Sequence, residues 1–264
     1  MRLKNKISVI TGAGRGIGRS IAIAFAKEGS HLVLVARSPD QLENVAGEIR
    51  KKGRKALPVT CDVSEARDVQ NLAKIVQDEF GRVDILVNNA GISRRSKFLE
   101  YDDEKWLEVI RINLFGTYLC TKAFLPMMQQ IGQGRIINIA STAGKNPVPL
   151  NVAYSTSKHG VLGLTKSVAS EVALTGYPGI TVNAICPFYV NTEMFSGPQG
   201  YVATMVEMTG VSAEEVVEKA VSRNVQHRII EPEEVAAMAV YLASEEARGI
   251  TGQALNICGG LIFH

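Results

Sequence analysis

Ser141, Tyr154 and Lys158 are the residues of this 264-residue chain whose types and spacing could move a proton to or from an oxygen. Tyr154 and Lys158 stand four positions apart, so a helix over 152–174 would set both on one face. A phenol that titrates near ~10 is a poor acid or base at neutral pH, and an adjacent ammonium lowers the cost of its anion. Far upstream, Thr11-Gly12-Ala13-Gly14-Arg15-Gly16-Ile17-Gly18 could cradle a dinucleotide. Gly12 can make a tight exit from a strand, Gly16 can admit a pyrophosphate, and Gly18 can relieve helix–strand packing at a helix amino terminus that favours negative charge. The Gly-Lys-Ser/Thr ending of a nucleotide-hydrolysing P-loop is absent. Together the two features are what a reversible alcohol–carbonyl conversion needs, a hydride carrier and a proton carrier, with no metal required.

The end of the second expected strand bears on the cofactor. An acid there would accept hydrogen bonds from an unmodified adenine ribose, but the chain has Ala36 and Arg37. A guanidinium matches a ribose phosphate, and Arg15 could reach the same region, so NADP(H) is expected, while Asp40 remains the residue that could serve NAD(H). Asp62-Val63 and Asn88-Asn89-Ala90-Gly91 follow the third and fourth strands, at the edge where an open sheet binds ligand. Asp62 could accept from an adenine amine. The asparagine turn could hold backbone near the cofactor or be an ordinary turn.

The elements that must position these residues read as alternating apolar runs and amphipathic stretches. Strands are expected at 7–11, 31–36, 56–60, 84–88, 135–140, 180–186 and 254–257, and helices at 17–28, 40–52, 65–79, 102–130, 152–174 and 232–243. Continuous apolar runs such as Leu32-Val33-Leu34-Val35-Ala36 suit strands covered on both faces. The expectation is a single α/β domain over 1–264, a Rossmann-like doubly wound parallel sheet of about seven strands with helices on both faces. Residues 189–228 read as a small helical lid over a substrate, with a peripheral packing hairpin as the alternative.

Composition agrees with a soluble, ordered protein: 46% hydrophobic and 21% charged residues, neither a disordered nor a fibrous profile. The net charge of +3 carries no long basic block, and Arg50-Lys51-Lys52-Gly53-Arg54-Lys55 sits at an expected helix end, so no nucleic-acid partner is expected. No apolar run approaches the ~20 residues of a membrane span, and no secretory segment precedes the first strand, which makes a cytoplasmic protein the expectation. Cys61, Cys120, Cys186 and Cys258 are widely spaced in apolar surroundings and read as buried small hydrophobes.

Thr11-Gly12-x-x-x-Gly16-Ile17-Gly18, Asn88-Asn89-Ala90-Gly91, Asn113, Ser141 and Tyr154-x-x-x-Lys158, in that order over nearly the whole chain, resemble the short-chain dehydrogenase/reductase family. The resemblance implies that Ser141 polarises a carbonyl, Tyr154 exchanges the hydroxyl proton, Lys158 binds the nicotinamide ribose and supports Tyr154, and Asn113 holds a water leading to bulk solvent. It also implies that Pro187 and the segment after it cover the nicotinamide, with Thr192 at its carboxamide, and that a homotetramer forms. Phe188 stands where the family has glycine, which bears on turn geometry and pocket width.

Ile139-Ala140-Ser141-Thr142-Ala143-Gly144-Lys145 and Gly252-Gln253-Ala254-Leu255-Asn256-Ile257-Cys258-Gly259-Gly260 are similar to aromatic-polyketide ketoreductases and 3-oxoacyl-thioester reductases, whereas Ile92-Ser93-Arg94 departs from their glycine-rich pocket segment. Arg94 and Phe188 are the expected substrate contacts beside Ser141 and Tyr154, with Arg94 or Arg95 available to a carrier or coenzyme A phosphate. The substrate is expected to be a small carbonyl compound or alcohol, thioester-linked or else a cyclic ketone, hydroxyketone or sugar alcohol. A noncatalytic dinucleotide sensor is the reading from another class.

Overall fold

The computed structural model describes residues 1–264. Seven strands pair in the order β3-β2-β1-β4-β5-β6-β7, every pairing parallel. In chain order the elements are β1 (Ile7–Thr11), α1 (Gly16–Lys27), β2 (His31–Ala36), α2 (Pro39–Arg50), β3 (Ala56–Thr60), α3 (Ala66–Phe80), β4 (Ile85–Asn88), α4 (Asp103–Ile110), α5 (Gly116–Ile131), β5 (Gly134–Ile139), α6 (Val152–Leu174), β6 (Ile180–Pro187), three short helices α7 (Glu193–Ser196), α8 (Tyr201–Thr209) and α9 (Ala213–Val221), then α10 (Pro232–Ala243) and β7 (Ala254–Ile257). The expected strands are matched to within one residue at each end. The strand order reverses between β1 and β4, which is where a doubly wound sheet opens a ligand crevice.

Strand alternation splits the core in two. Ile10, Leu32, Leu34, Val87 and Ile137 face one way, against Ile21 and Phe25 of α1, Leu42 of α2 and Val235 of α10. Val9, Val33, Val35, Leu86 and Ile136 face the other, against Leu72 and Val76 of α3 and Phe124 and Met128 of α5. Each such side chain contributes about 1.5–3 kcal/mol when fully buried, so the two layers hold the strand ends, and hence the site, rigidly. Helices α3 and α5 stop where Gly81 and Gly132 take left-handed conformations, φ 68° and 75°, which a β-carbon would strain.

Two stretches differ from the sequence expectation. The single helix over 102–130 is interrupted by a wider π turn at Arg111–Phe115 between α4 and α5. One extra residue rotates the following face by about 100°, a single phase step that the sequence expectation of one continuous helix passed over; such turns often mark functional positions, and this one carries Asn113. The 189–228 cover is three separate helices, whose breaks fall at Gly197-Pro198 and Gly210. Its base is pinned: Ile230 donates to the Tyr189 carbonyl at 3.0 Å and Asn191 donates to the Ile230 carbonyl at 2.8 Å.

A β-carbon at Gly18 would lie 2.2 Å from the Gly12 carbonyl oxygen and 2.5 Å from Asn89 Nδ2. Overpacking against backbone costs about 1–3 kcal/mol, more than the ~1 kcal/mol by which alanine is the better helix former. Gly18→Ala is therefore expected to lower the urea unfolding midpoint; an unchanged midpoint would show that the loop yields freely.

Candidate active site

The loop after β1 and the turn after β4 are stitched together at the crevice. Thr11 Oγ1 accepts from the Asn89 and Ala90 amides at 2.9 and 3.0 Å, while Asn89 Nδ2 donates to the Thr11 and Gly12 carbonyls at 3.0 and 3.1 Å. The Asn88-Asn89-Ala90-Gly91 segment thus fixes the path of the glycine loop, and Asn88 Nδ2 ties it to Asn138 Oδ1 on β5 at 2.9 Å. The hydroxyl of Thr11 acquires this role only through the pairing of β1 with β4, which the loop pattern does not reveal. Gly12 and Gly16 are both left-handed, φ 64° and 51°.

Beyond the loop, α1 begins without a side-chain cap and with no acid in its first turn, so its first amides are free for an anion. Ile17 packs its side chain on the core beneath. Thr192 lies across from Gly16, where a β-carbon would meet its Cγ2 at 3.2 Å, so Gly16 must be bare to keep this passage. Arg37, at the end of β2, has one ionic partner, Asp62 Oδ2 at 3.7 Å, while Asp62 Oδ1 accepts from the Ser64 amide and hydroxyl at 2.9 and 2.7 Å. Val63 is buried beside Gly116. Arg15, expected near Arg37, instead pairs with Glu193 across the crevice mouth, a contact between residues 178 positions apart that spacing could not show. Free helix amides, a bare glycine passage and a weakly paired guanidinium fit a nicotinamide dinucleotide.

Ser141, Tyr154 and Lys158 gather at the same edge. The turn after β5 presses on α6 so closely that a β-carbon at Gly144 would lie 2.6 Å from the Lys158 carbonyl oxygen, and this contact brings Ser141 toward Tyr154. Ser141 Oγ accepts from the Ala143 amide at 3.1 Å and donates to the Pro187 carbonyl at 3.4 Å. Lys158 Nζ, buried, donates to the Ile139 carbonyl at 2.7 Å and lies 5.5 Å from the Tyr154 ring centroid. Asn113 is wholly buried, bonded through Oδ1 to the Ile92 amide at 2.8 Å and through Nδ2 to the Ile92 carbonyl and Ser157 Oγ at 2.9 and 3.1 Å. A β-carbon at Gly91 would lie 3.2 Å from Asn113 Oδ1 and 3.7 Å from Lys158 Nζ, so glycine keeps open the space these two share.

Burial pushes the Tyr154 phenol above its ordinary value, and the Ser141 hydroxyl and the Arg95 guanidinium pull it back. Burial also draws the Lys158 ammonium down to about 8, so the charged form still predominates at pH 7, by about tenfold. His159 is exposed, its Nδ1 bonded to the Ser155 carbonyl at 2.8 Å.

The outer wall is aromatic. Tyr189 packs on Phe188, Tyr201 and Phe195 at centroid distances of 4.2, 4.4 and 5.2 Å. Phe188 takes no left-handed conformation and its amide donates to the Ile257 carbonyl at 3.0 Å, so the residue in the family's glycine place is accommodated as a buried wall of the cleft. Arg94, an expected substrate contact, pairs with Glu108 of α4 at 3.3 Å. Its neighbour Arg95 lies over the Tyr201 ring, 4.6 Å from the centroid, and Arg223 lies over Phe188 at 5.7 Å. Arg95 and Tyr201 belong with the site, although no periodicity in the loop after β4 indicates which of two adjacent arginines faces inward.

The short chain dehydrogenase family model matches residues 6–199. The chain belongs to the short-chain dehydrogenase/reductase family. It is 41% identical over 259 residues to a putative ketoacyl reductase of Streptomyces coelicolor, covering 97% of both chains. It is 36% identical to the D-beta-hydroxybutyrate dehydrogenase of Rhizobium meliloti, over 97% of this chain and 98% of that one. It superposes on a crystal structure of a variant actinorhodin polyketide ketoreductase with NADPH, at TM-score 0.91 and 40% identity over 97% of each chain. As a short-chain dehydrogenase/reductase it is an oxidoreductase acting on a carbonyl or alcohol. No helix is long and apolar enough to cross a membrane.

Lys158 carries a stability cost. The unfolded chain holds this proton up to the ordinary 10.5 and the folded one only up to about 8, so stability rises with pH between those values, and below about 8 the full penalty applies. Lys158→Met is expected to stabilise the cofactor-free protein at pH 7, on the order of 1 kcal/mol once the lost Ile139 hydrogen bond is deducted. Urea unfolding at pH 7 measures this, and a destabilised variant would contradict it.

Proposed function

We propose that this short-chain dehydrogenase/reductase is an NADP(H)-dependent ketoreductase that interconverts a 3-oxoacyl compound, thioester-linked or polyketide-derived, and its secondary alcohol. The convergence of Ser141, Tyr154 and Lys158 beside a glycine loop that runs along the end of β2, the strand that Arg37 follows, carries the reading. Similarity to a ketoacyl reductase and to a polyketide ketoreductase seen with NADPH supports it.

Gly12, Gly16, Ile17 and Gly18 would hold the pyrophosphate, Arg37 the ribose phosphate, and Asp62 with Val63 the adenine. Arg15 would join Arg37 by leaving its exposed pair with Glu193, at a cost below about 1 kcal/mol. Asn89, Ala90, Gly91, Pro187 and Thr192 would line the nicotinamide half, with Lys158 at its ribose. NADPH, when bound, supplies the hydride. Ser141 orients and polarises the carbonyl oxygen, and Tyr154 donates its phenolic proton to that oxygen as it becomes an alkoxide. Lys158 stabilises the phenolate left behind, and Asn113 holds a water beside Lys158, in the space Gly91 leaves open, to return the proton. Residues 189–228 form the substrate lid, pinned at its base by the Tyr189, Asn191 and Ile230 bonds.

Assembly as a homotetramer is part of this reading, supported by the exposed stacked pair Phe115–Tyr118, 5.8 Å apart, where the π turn passes into α5. A small hydroxy-compound dehydrogenase is the second reading, supported by the hydroxybutyrate dehydrogenase relative. A noncatalytic sensor would not need Ser141, Tyr154 and Lys158 brought together.

A spectrophotometric screen of NADPH oxidation and NADP reduction over 3-oxoacyl thioesters, cyclic ketones and sugar alcohols tests the proposal; turnover of cyclic ketones or sugar alcohols alone would overturn the 3-oxoacyl assignment. Arg37→Ala is expected to weaken NADPH against NADH by roughly 1.5–3 kcal/mol, tenfold or more, because a charge-assisted contact is lost. An unchanged ratio of cofactor affinities would remove Arg37 from this role.

A further inference from the structure

Arg95 has no protein partner of opposite charge. It enters no ion pair and no hydrogen bond, although its side chain is half-buried in the cleft. Its neighbour in sequence, Arg94, has a carboxylate in Glu108, whereas Arg95 has none. What holds Arg95 is the face of Tyr201, 4.6 Å from the guanidinium carbon, in a helix of the cover. A guanidinium lying on a ring is oriented by it, and the contact leaves donors free along its planar edge, the geometry that takes a carboxylate or phosphate in two parallel bonds. Tyr201 in turn packs on Tyr189 at 4.4 Å, and Tyr189 on Phe188, so the cation is presented by a stacked aromatic wall rather than by a flexible arm in water.

The place of this cation within the cleft matters as much as its freedom. A short run of contacts joins it to the reacting edge: Ser141 Oγ donates to the Pro187 carbonyl at 3.4 Å, the next residue Phe188 packs on Tyr189 at 4.2 Å, Tyr189 on Tyr201 at 4.4 Å, and Tyr201 carries Arg95. An anion held by Arg95 therefore sits close to the reacting carbonyl, in the same compartment, not at the far end of a long carrier arm. A half-buried guanidinium left uncompensated beside a proton donor is costly, and an anionic group brought by the substrate would complete the pair.

Resting on the ketoreductase reading and narrowing it to the polyketide-derived arm, released from any thioester, we propose that Arg95 is a specificity-determining substrate-binding residue, and that the favoured substrates are short free oxo acids whose carboxylate pairs with it while the ketone lies at Ser141 and Tyr154. The product is then the corresponding hydroxy acid. Arg95 discriminates by charge near the carbonyl, and Tyr201 positions it, which links closure of the 189–228 cover to the presence of an anion.

The test uses the full-length protein with NADPH and matched probes: 3-oxohexanoate against its methyl ester, and acetoacetyl-pantetheine against acetoacetyl-phosphopantetheine. The acid is expected to exceed its ester in kcat/KM by at least about tenfold, mainly through KM, and Arg95→Ala is expected to erase most of that ratio, with Arg95→Lys restoring part of it. Calorimetric titration of 3-hydroxyhexanoate into the protein with NADP is expected to show the same loss of affinity in Arg95→Ala. Equal use of acid and ester, or a ratio untouched by Arg95→Ala, would overturn the inference and leave the reductase reading standing. A preference confined to the phosphopantetheine pair would assign the anion to a carrier phosphate and also overturn it. Failure of every ketone probe, with NADPH bound, would sink the reductase reading and this inference together.

Discussion

The constraint on which the site depends is a buried ammonium. Lys158 gives up solvent to reach the carbonyl of Ile139, the last residue of β5, at 2.7 Å, and that bond locks α6 to the carboxyl edge of the sheet. Once α6 is fixed there, Tyr154 one turn earlier must face the crevice, and the tight Gly144 contact brings Ser141 to it. The same burial lowers the proton affinity of Lys158 and raises that of Tyr154, so two groups that titrate close together when free are pulled apart, each toward its neutral form. A site that stores strain of this kind needs a rigid frame, and the two apolar layers on either side of the parallel sheet supply it.

The second organising feature is the switch point between β1 and β4. Thr11 and Asn89 bind the glycine loop to the turn after β4, so cofactor crevice and catalytic edge move as one body. The cover is a different kind of structure, three short helices with an exposed ion pair at the crevice mouth and an aromatic wall beneath. Low-stability covers over rigid frames are a common way to exclude water during hydride and proton transfer.

Much of this was legible in the sequence because buried parallel strands write themselves as short apolar runs. Ile7–Thr11, His31–Ala36, Ala56–Thr60 and Ala254–Ile257 lie where the pattern puts them, and Tyr154 and Lys158 share a helix face as their spacing requires. Three things were not legible. The π turn carrying Asn113 shifts the helical phase once, in the middle of a long stretch that is helical on either side, so the stretch still reads as one helix. The Arg15–Glu193 pair joins segments that only the folded crevice brings together. In the loop after β4, Arg94 faces Glu108 and Arg95 faces Tyr201, and an irregular segment has no period from which to read that choice.

The central claim is that Tyr154 carries the exchanged proton. Single-turnover NADPH oxidation by Tyr154→Phe, with NADPH affinity measured separately on the same folded variant, tests it most directly, because phenylalanine keeps the ring and removes only the hydroxyl. Hydride transfer should fall by at least about a hundredfold, within the range a positioned general acid contributes, while NADPH binding stays within a few-fold of the unmodified protein. Transfer at a near-normal rate with normal cofactor affinity would contradict the account and return Tyr154 to a packing role.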